Sequence, residues 1–155
     1  MLCYDKLAYI EIGEQDMLLE FKGEEIWELF EEACVADEKG DYKKAFNLLV
    51  EMWELLPGEK VNYAESWVVV STILQIAIEN KDEKVMRKWV DKIDEVCPDE
   101  YELEERLYFR GRVAYEFGDF DKAREYLDYA NKKTKGRCFS EKDRKYVIFL
   151  SKKNK

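Results

Sequence analysis

The chain contains no histidine, and its four cysteines, Cys3, Cys34, Cys97 and Cys138, are scattered without a Cys-x-x-Cys pair. Zinc sites need clustered thiolates or imidazoles, so no metal site and no cofactor is expected, and the thiols read as reduced and mostly buried. Without imidazole, general acid–base work would fall to carboxylates, lysine or tyrosine. Acid pairs such as Glu24/Glu25, Glu31/Glu32 and Glu104/Glu105 read as solvated helix faces. A Gly-rich phosphate loop and a nucleophile elbow are both missing, so the chain is not expected to be an enzyme. Apolar runs such as Trp67–Val70 are far too short to span a bilayer, and the start Met1–Lys6 carries an early acid instead of a signal-peptide pattern. A soluble, cytoplasmic protein follows as the expectation.

What is present is apolar residue and charge in quantity. Hydrophobic residues make up 46% and aromatic residues 14% of 155 positions, which argues against disorder even though 39% are charged. At this length one domain, residues 1–155, is expected. The net charge is −9, unevenly spread. Residues 132–155 hold ten Lys/Arg against Glu141 and Asp143, a net of +8, which leaves −17 on residues 1–131. Such a body repels nucleic acid and draws basic proteins at long range. The terminal lysines read as answering helix dipoles and the acidic body, not as contacts for RNA or an anionic membrane. The partner expected is therefore another protein, with no nucleic acid and no membrane insertion, on a monomeric chain.

One turn recurs. In Glu116-Phe-Gly-Asp-Phe-Asp-Lys-Ala-Arg-Glu-Tyr-Leu-Asp-Tyr-Ala130, Gly118 closes one helix in a left-handed cap and Asp119 caps the next. Ala123 is small where two helices must touch, and Leu127 and Ala130 extend the apolar stripe. Gly40-Asp41-Tyr42-Lys43-Lys44-Ala45 repeats this grammar, with Leu48, Leu49 and Met52 as stripe. Lys81-Asp82-Glu83-Lys84-Val85-Met86 is a worn copy, continued by Val90 and Ile93. Pro57 and Pro98 each follow their turn by 17 residues. The turns at 40, 81 and 118 lie 41 and 37 residues apart, and helix–turn–helix units repeated at this interval, with small residues at the crossing, resemble the tetratricopeptide pattern. The resemblance implies an all-α fold, a superhelix of about three tetratricopeptide-like hairpins over residues 23–134.

In chain order, residues 1–22 fall outside the repeat; Leu7–Ile12 and Met17–Phe21 read as a small β-hairpin, with a short helix as the competing reading. Helices are expected at about 24–39, 42–56, 61–80, 82–96, 100–117 and 120–133. The third is apolar nearly all round, hence buried on both sides or facing a partner. Leu74 and Met86 stand where the other units have small residues, so that pair should sit further apart. Ser140 with Asp143 resembles a capping box opening a capping helix within 136–152, whose Tyr146, Val147, Phe149 and Leu150 can cover the end of the stack.

Three segments narrow the resemblance. They are Leu56-Pro57-Gly58-Glu59-Lys60 leading to Trp67, then Phe109-Arg110-Gly111-Arg112 with Glu116-Phe117-Gly118, and Phe139-x-x-x-Asp143-x-Lys145-Tyr146-x-x-Phe149-Leu150. Together they resemble small bacterial tetratricopeptide-like proteins found as candidate immunity proteins of polymorphic-toxin and contact-dependent inhibition systems. Glu59 and Arg110 depart from that pattern. The resemblance implies a protein that binds a cognate toxin domain and neutralises it by stoichiometric association, the acidity suiting a cationic nuclease. A generic adaptor or chaperone-like module for a peptide segment is the alternative.

In tetratricopeptide folds the first helix of each unit lines the concave face. By the turn register this implies Trp27, Phe30, Glu31, Cys34 and Glu38 from unit one, then Val68, Ser71, Thr72, Gln75 and Glu79 from unit two. Unit three adds Tyr108, Phe109, Arg112, Tyr115 and Glu116. Phe30, Val68, Phe109 and Trp67 also fit as plain core. The partner-binding candidates are Trp27, Glu31, Glu38, Trp67, Ser71, Gln75, Glu79, Tyr108, Arg112, Tyr115 and Glu116.

Overall fold

A computed structural model describes residues 24–60, 63–96 and 103–152. These residues form helices and no strand: α1 (Glu24–Glu38), α2 (Tyr42–Leu55), α3 (Ala64–Glu79), α4 (Glu83–Trp89), α5 (Lys92–Val96), α6 (Leu103–Glu116), α7 (Phe120–Thr134), a 3-10 turn (Glu141–Asp143) and α8 (Arg144–Ser151). The hairpin expected within residues 1–22 lies outside the described residues, as does the end of the basic tail.

The recurring turn is built the same way three times. Gly40, Lys81 and Gly118 adopt the left-handed conformation, with φ of 76°, 55° and 77°. After each, the aspartate N–H reaches back five residues in a Schellman closure, Asp41 to the Ala36 carbonyl, Asp82 to Ala77 and Asp119 to Ala114, all at 2.9 Å. Each aspartate then accepts from an N–H of the next first turn, Lys44 at 3.1 Å, Val85 at 3.0 Å and Lys122 at 3.4 Å. A cap of this kind stabilises a helix by about 1 kcal/mol. Both helix ends of every hairpin are thus satisfied within three residues.

Packing follows residue size. Ala45 and Ala123 are wholly buried, and α1–α2 and α6–α7 are the most extensively packed pairs. In the latter, a methyl added at Gly111 would stand 2.6 Å from Leu127 Cγ and 3.1 Å from its backbone nitrogen, so the two helices meet where α6 has no side chain. Between α3 and α4, Leu74 and Met86 are both fully buried and the pair is less extensively packed. Of the two readings of the apolar third helix, burial holds: α3 packs on α2, α4, α5 and α6, with Val69, Val70, Ile73, Leu74 and Ala77 inaccessible. Trp53 and Trp89 meet edge to face at 5.5 Å in the same interior.

Two expectations need correction. The helix expected over 82–96 is interrupted at Val90–Asp91, where the N–H groups of Ile93 and Asp94 bond three residues back instead of four. Arg110, the residue that departs from the family pattern, donates from Nε to Asp94 at 2.8 Å and from Nη2 to Asp91 at 3.1 Å. Gathering both aspartates on one guanidinium turns α5 toward α6. The capping helix expected from Glu141 is a 3-10 turn until Asp143, and only α8 beyond it is α-helical.

Candidate protein-binding site

On α3, Trp67, Ser71, Gln75 and Glu79 recur every fourth residue and form one ridge; on α6, Tyr108, Arg112, Tyr115 and Glu116 form another. The two ridges meet. Trp67 packs edge to face on Phe109 at 6.1 Å, and Arg112 Nη1 donates to Gln75 Oε1 at 2.6 Å. Gln75 in turn donates to Glu79. Ser71 turns its hydroxyl onto the Val68 carbonyl of its own helix at 3.2 Å. Trp27 packs edge to face on Phe30 at 5.7 Å beside the core, and Glu31 is exposed on α1.

The α6 ridge is covered by the chain's own C-terminal segment. Asp143, 1% exposed, accepts from Tyr108 Oη at 2.8 Å and from the Ser140 N–H and hydroxyl at 2.9 Å each, with Arg112 Nε 3.4 Å from its second oxygen. Arg112, also 1% exposed, lies over the rings of Tyr108, Phe109 and Tyr146 at 4.7, 5.7 and 5.5 Å. Tyr146 donates to Glu116 at 2.8 Å, and Lys145 pairs with the same carboxylate. Tyr115 packs on Phe120, Tyr146 and Phe149. Arg124 donates to the Phe149 and Leu150 carbonyls at 3.1 and 3.3 Å, closing the last turn of α8. Burial lifts the Tyr108 phenol far above its ordinary value, with Asp143 adding to the shift and Arg112 opposing it. Burial lifts Tyr146 as well, helped by its bond to Glu116. Both phenols are held neutral as donors.

The candidate list omitted the residues that complete this arrangement, namely Asp143, Lys142, Lys145 and Tyr146. A signal for Asp143, Lys145 and Tyr146, though not for Lys142, was present: with Phe139 and Phe149 they are five of the six named positions of the C-terminal segment, Leu150 being the sixth. These five face α6 residues, Phe139 through Tyr108 at 5.9 Å.

A cleft of about 420 Å³ is lined by Asp37, Glu38, Gly40, Tyr42, Glu79, Asn80 and Lys142. It lies where α1 and α3 both end, so two negative dipole ends add to three carboxylates. Lys142 answers from one side, 3.2 Å from Glu79. Burial raises the Asp37 carboxyl above its usual range, with the charges of Glu79 and Glu38 adding to the shift and Lys142 opposing it. Next to it, Tyr42 donates to Asp82 at 2.6 Å, which lowers the Asp82 carboxyl below its ordinary range. Among the described residues, no group of three or more Asp, Glu, Cys or His side chains is placed to hold a metal ion, and no helix is long and apolar enough to cross a membrane. The chemistry on offer is cation attraction at the cleft.

No family model matches the chain, and no curated protein or solved structure matches it.

Proposed function

We propose that this chain is an immunity protein that binds a cationic toxin domain, such as a basic nuclease, and neutralises it by stoichiometric association. The likeness of its three segments to candidate immunity proteins motivates the class, and the acidic cleft between the ends of α1 and α3 is the observation that carries the binding reading. Glu38 and Glu79 stand there beside Asp37, on a body of −17. Long-range attraction speeds encounter with a basic partner, and desolvated charge at contact fixes orientation.

The filled α6 ridge favours a folded partner over an extended peptide. A peptide lying along α3 and α6 would need Gln75, Tyr108, Arg112 and Glu116, whose hydrogen bonds are already taken by Asp143, Tyr146 and one another. A folded domain that offers lysine or arginine side chains to the cleft requires no such displacement.

The test is association with the toxin domain encoded in the neighbouring reading frame, followed by stopped flow at several ionic strengths. Raising salt from about 20 to about 500 mM should slow association severalfold, and Glu38→Lys with Glu79→Lys should slow it about tenfold at low salt. Association rates indifferent to both would overturn the electrostatic reading. An isolated segment of the partner that competed as well as the folded domain would favour the adaptor alternative.

A further inference from the structure

The first and last helices present outward faces of opposite sign, and each carries exposed aliphatic surface. On α1, Glu25, Glu28, Glu32 and Val35 recur at three- and four-residue spacing and are all exposed, Val35 to 46%. At α8, Arg144, Val147, Ile148 and Lys152 share one helix face by their spacing and are exposed, Val147 and Ile148 to 46% each, whereas Lys145 turns inward to Glu116. Phe120, 52% exposed, extends this apolar surface through its contact with Phe149 at 5.8 Å. Three of the five exposed large hydrophobic residues among those described, Phe120, Val147 and Ile148, therefore lie at or beside α8, the last two next to Arg144 and Lys152.

We propose that the α8 face docks on the α1 face of a second copy of this chain, giving a weak head-to-tail association. A self-matching two-fold contact through α8 would set Arg144 and Lys152 against their own copies, and like charges at close range disfavour it. The same holds for the glutamates of α1. Pairing the two faces with each other brings +8 of the tail toward the −17 body and covers Val35, Val147 and Ile148 together. An anionic lipid surface would also suit the α8 face by sign, but the acidic body repels such a surface, and two aliphatic residues give little to insert. A contact between two short helical faces falls below the area of a stable interface, so the association is transient and salt-sensitive. Because a single head-to-tail contact leaves one face of each type unused, further copies add, closing a ring where the rotation allows it and continuing as open oligomers where it does not. The proposal stands on these two surfaces and is independent of the toxin-binding reading.

Sedimentation of the full chain over a concentration series tests it. At about 20 mM salt the weight-average mass should rise with concentration past that of a dimer, and at about 500 mM it should return to the monomer. Ile148→Glu should weaken association about tenfold or more, since it places a charge where an aliphatic side chain is covered. The decisive arm uses two charge-reversed proteins, Glu25→Lys with Glu28→Lys and Arg144→Glu with Lys152→Glu. Each alone should remain monomeric, and an equimolar mixture should associate, because every contact in the mixture then joins opposite signs. Monomer at all concentrations in low salt overturns the proposal, as does a closed dimer or a mixture that stays monomeric. Salt-sensitive binding to phosphatidylserine vesicles without self-association would assign the α8 face to lipid and also overturn it.

Discussion

Around Trp53 and Trp89 the interior is made of aliphatic and aromatic side chains, with Leu49, Ile73, Leu74, Met86 and Ile93 wholly inaccessible. Between α6 and the C-terminal segment an equally inaccessible space is filled by Arg112, Asp143 and the hydroxyl ends of Tyr108 and Tyr146. Apolar burial is non-directional: it draws helices together but tolerates sliding. A carboxylate that accepts three hydrogen bonds beside a guanidinium admits few seatings. α8 is only eight residues long and leaves Val147 and Ile148 uncovered, so it has little area with which to choose its position. The comparison teaches that the repeat units are held by area, whereas the segment that closes them is held in register by polar contacts.

The largest effect that would break this contrast comes from Arg112→Ala. It strands Asp143 as a buried charge, and the expected loss is about 3–5 kcal/mol in denaturant unfolding. Replacing both partners with apolar groups, Arg112→Met with Asp143→Leu, should cost clearly less than the single change, because no charge is left unpaired. A double variant less stable than the single one would mean that the network supplies stability in its own right, and the distinction between area and register would fail.

Alkaline pH separates the two interiors without mutation. The Tyr108 and Tyr146 phenols have raised values in the folded chain, so the unfolded chain releases these protons first. Their contribution is complete below the ordinary phenol value near 10 and is lost as pH climbs toward the folded values. Each can remove at most about 1.4 kcal/mol per pH unit in that window. Unfolding midpoints measured across it should fall more steeply for the native sequence than for Tyr108→Phe with Tyr146→Phe. Equal slopes would show that the phenols are as accessible as those of an unfolded chain.

Gly111→Ala sharpens the other side of the contrast. Alanine is the better helix former by about 1 kcal/mol, yet its methyl would meet Leu127 Cγ at 2.6 Å in a fully buried contact. Overpacking of this kind costs about 1–3 kcal/mol, and the backbone nitrogen at 3.1 Å limits how far Leu127 can yield. A net loss of about 1–2 kcal/mol is expected in thermal unfolding. A gain would mean that α6 and α7 can separate freely and that residue size does not set their spacing.

Much of the helical framework could be read from residues alone because its signals are local. A left-handed residue followed by a capping aspartate marks each hairpin, and the bounds of α1, α2 and α7 follow within a residue or two. The break at Val90–Asp91 was not readable, since it depends on Arg110 reaching Asp91 and Asp94 from sixteen and more residues away. The candidate ridges were found by spacing, and Gln75, Glu79, Tyr108, Arg112, Tyr115 and Glu116 do form a connected arrangement with the C-terminal segment. What spacing could not reveal is which groups would satisfy them. Inward-facing polar side chains require partners, and from sequence alone a partner protein and the chain's own Asp143, Lys142 and Tyr146 are equivalent answers.

The smallest effect tests whether the two interiors are independent. Lys81 holds φ of 55° in the turn where the other units use glycine. A side chain costs about 1–2 kcal/mol in that conformation, part of which glycine returns through its greater freedom in the unfolded chain. Lys81→Gly should therefore stabilise by about 1 kcal/mol, leaving the Asp82 cap and its bond from Tyr42 in place. If the apolar units and the polar closure are separate, that gain should be the same in the Arg112→Ala background within about 0.5 kcal/mol. A gain that vanished there would mean that loosening the C-terminal segment loosens the α3–α4 turn as well. The link between them would then run through Glu79, which ends α3 and is held by both Gln75 and Lys142.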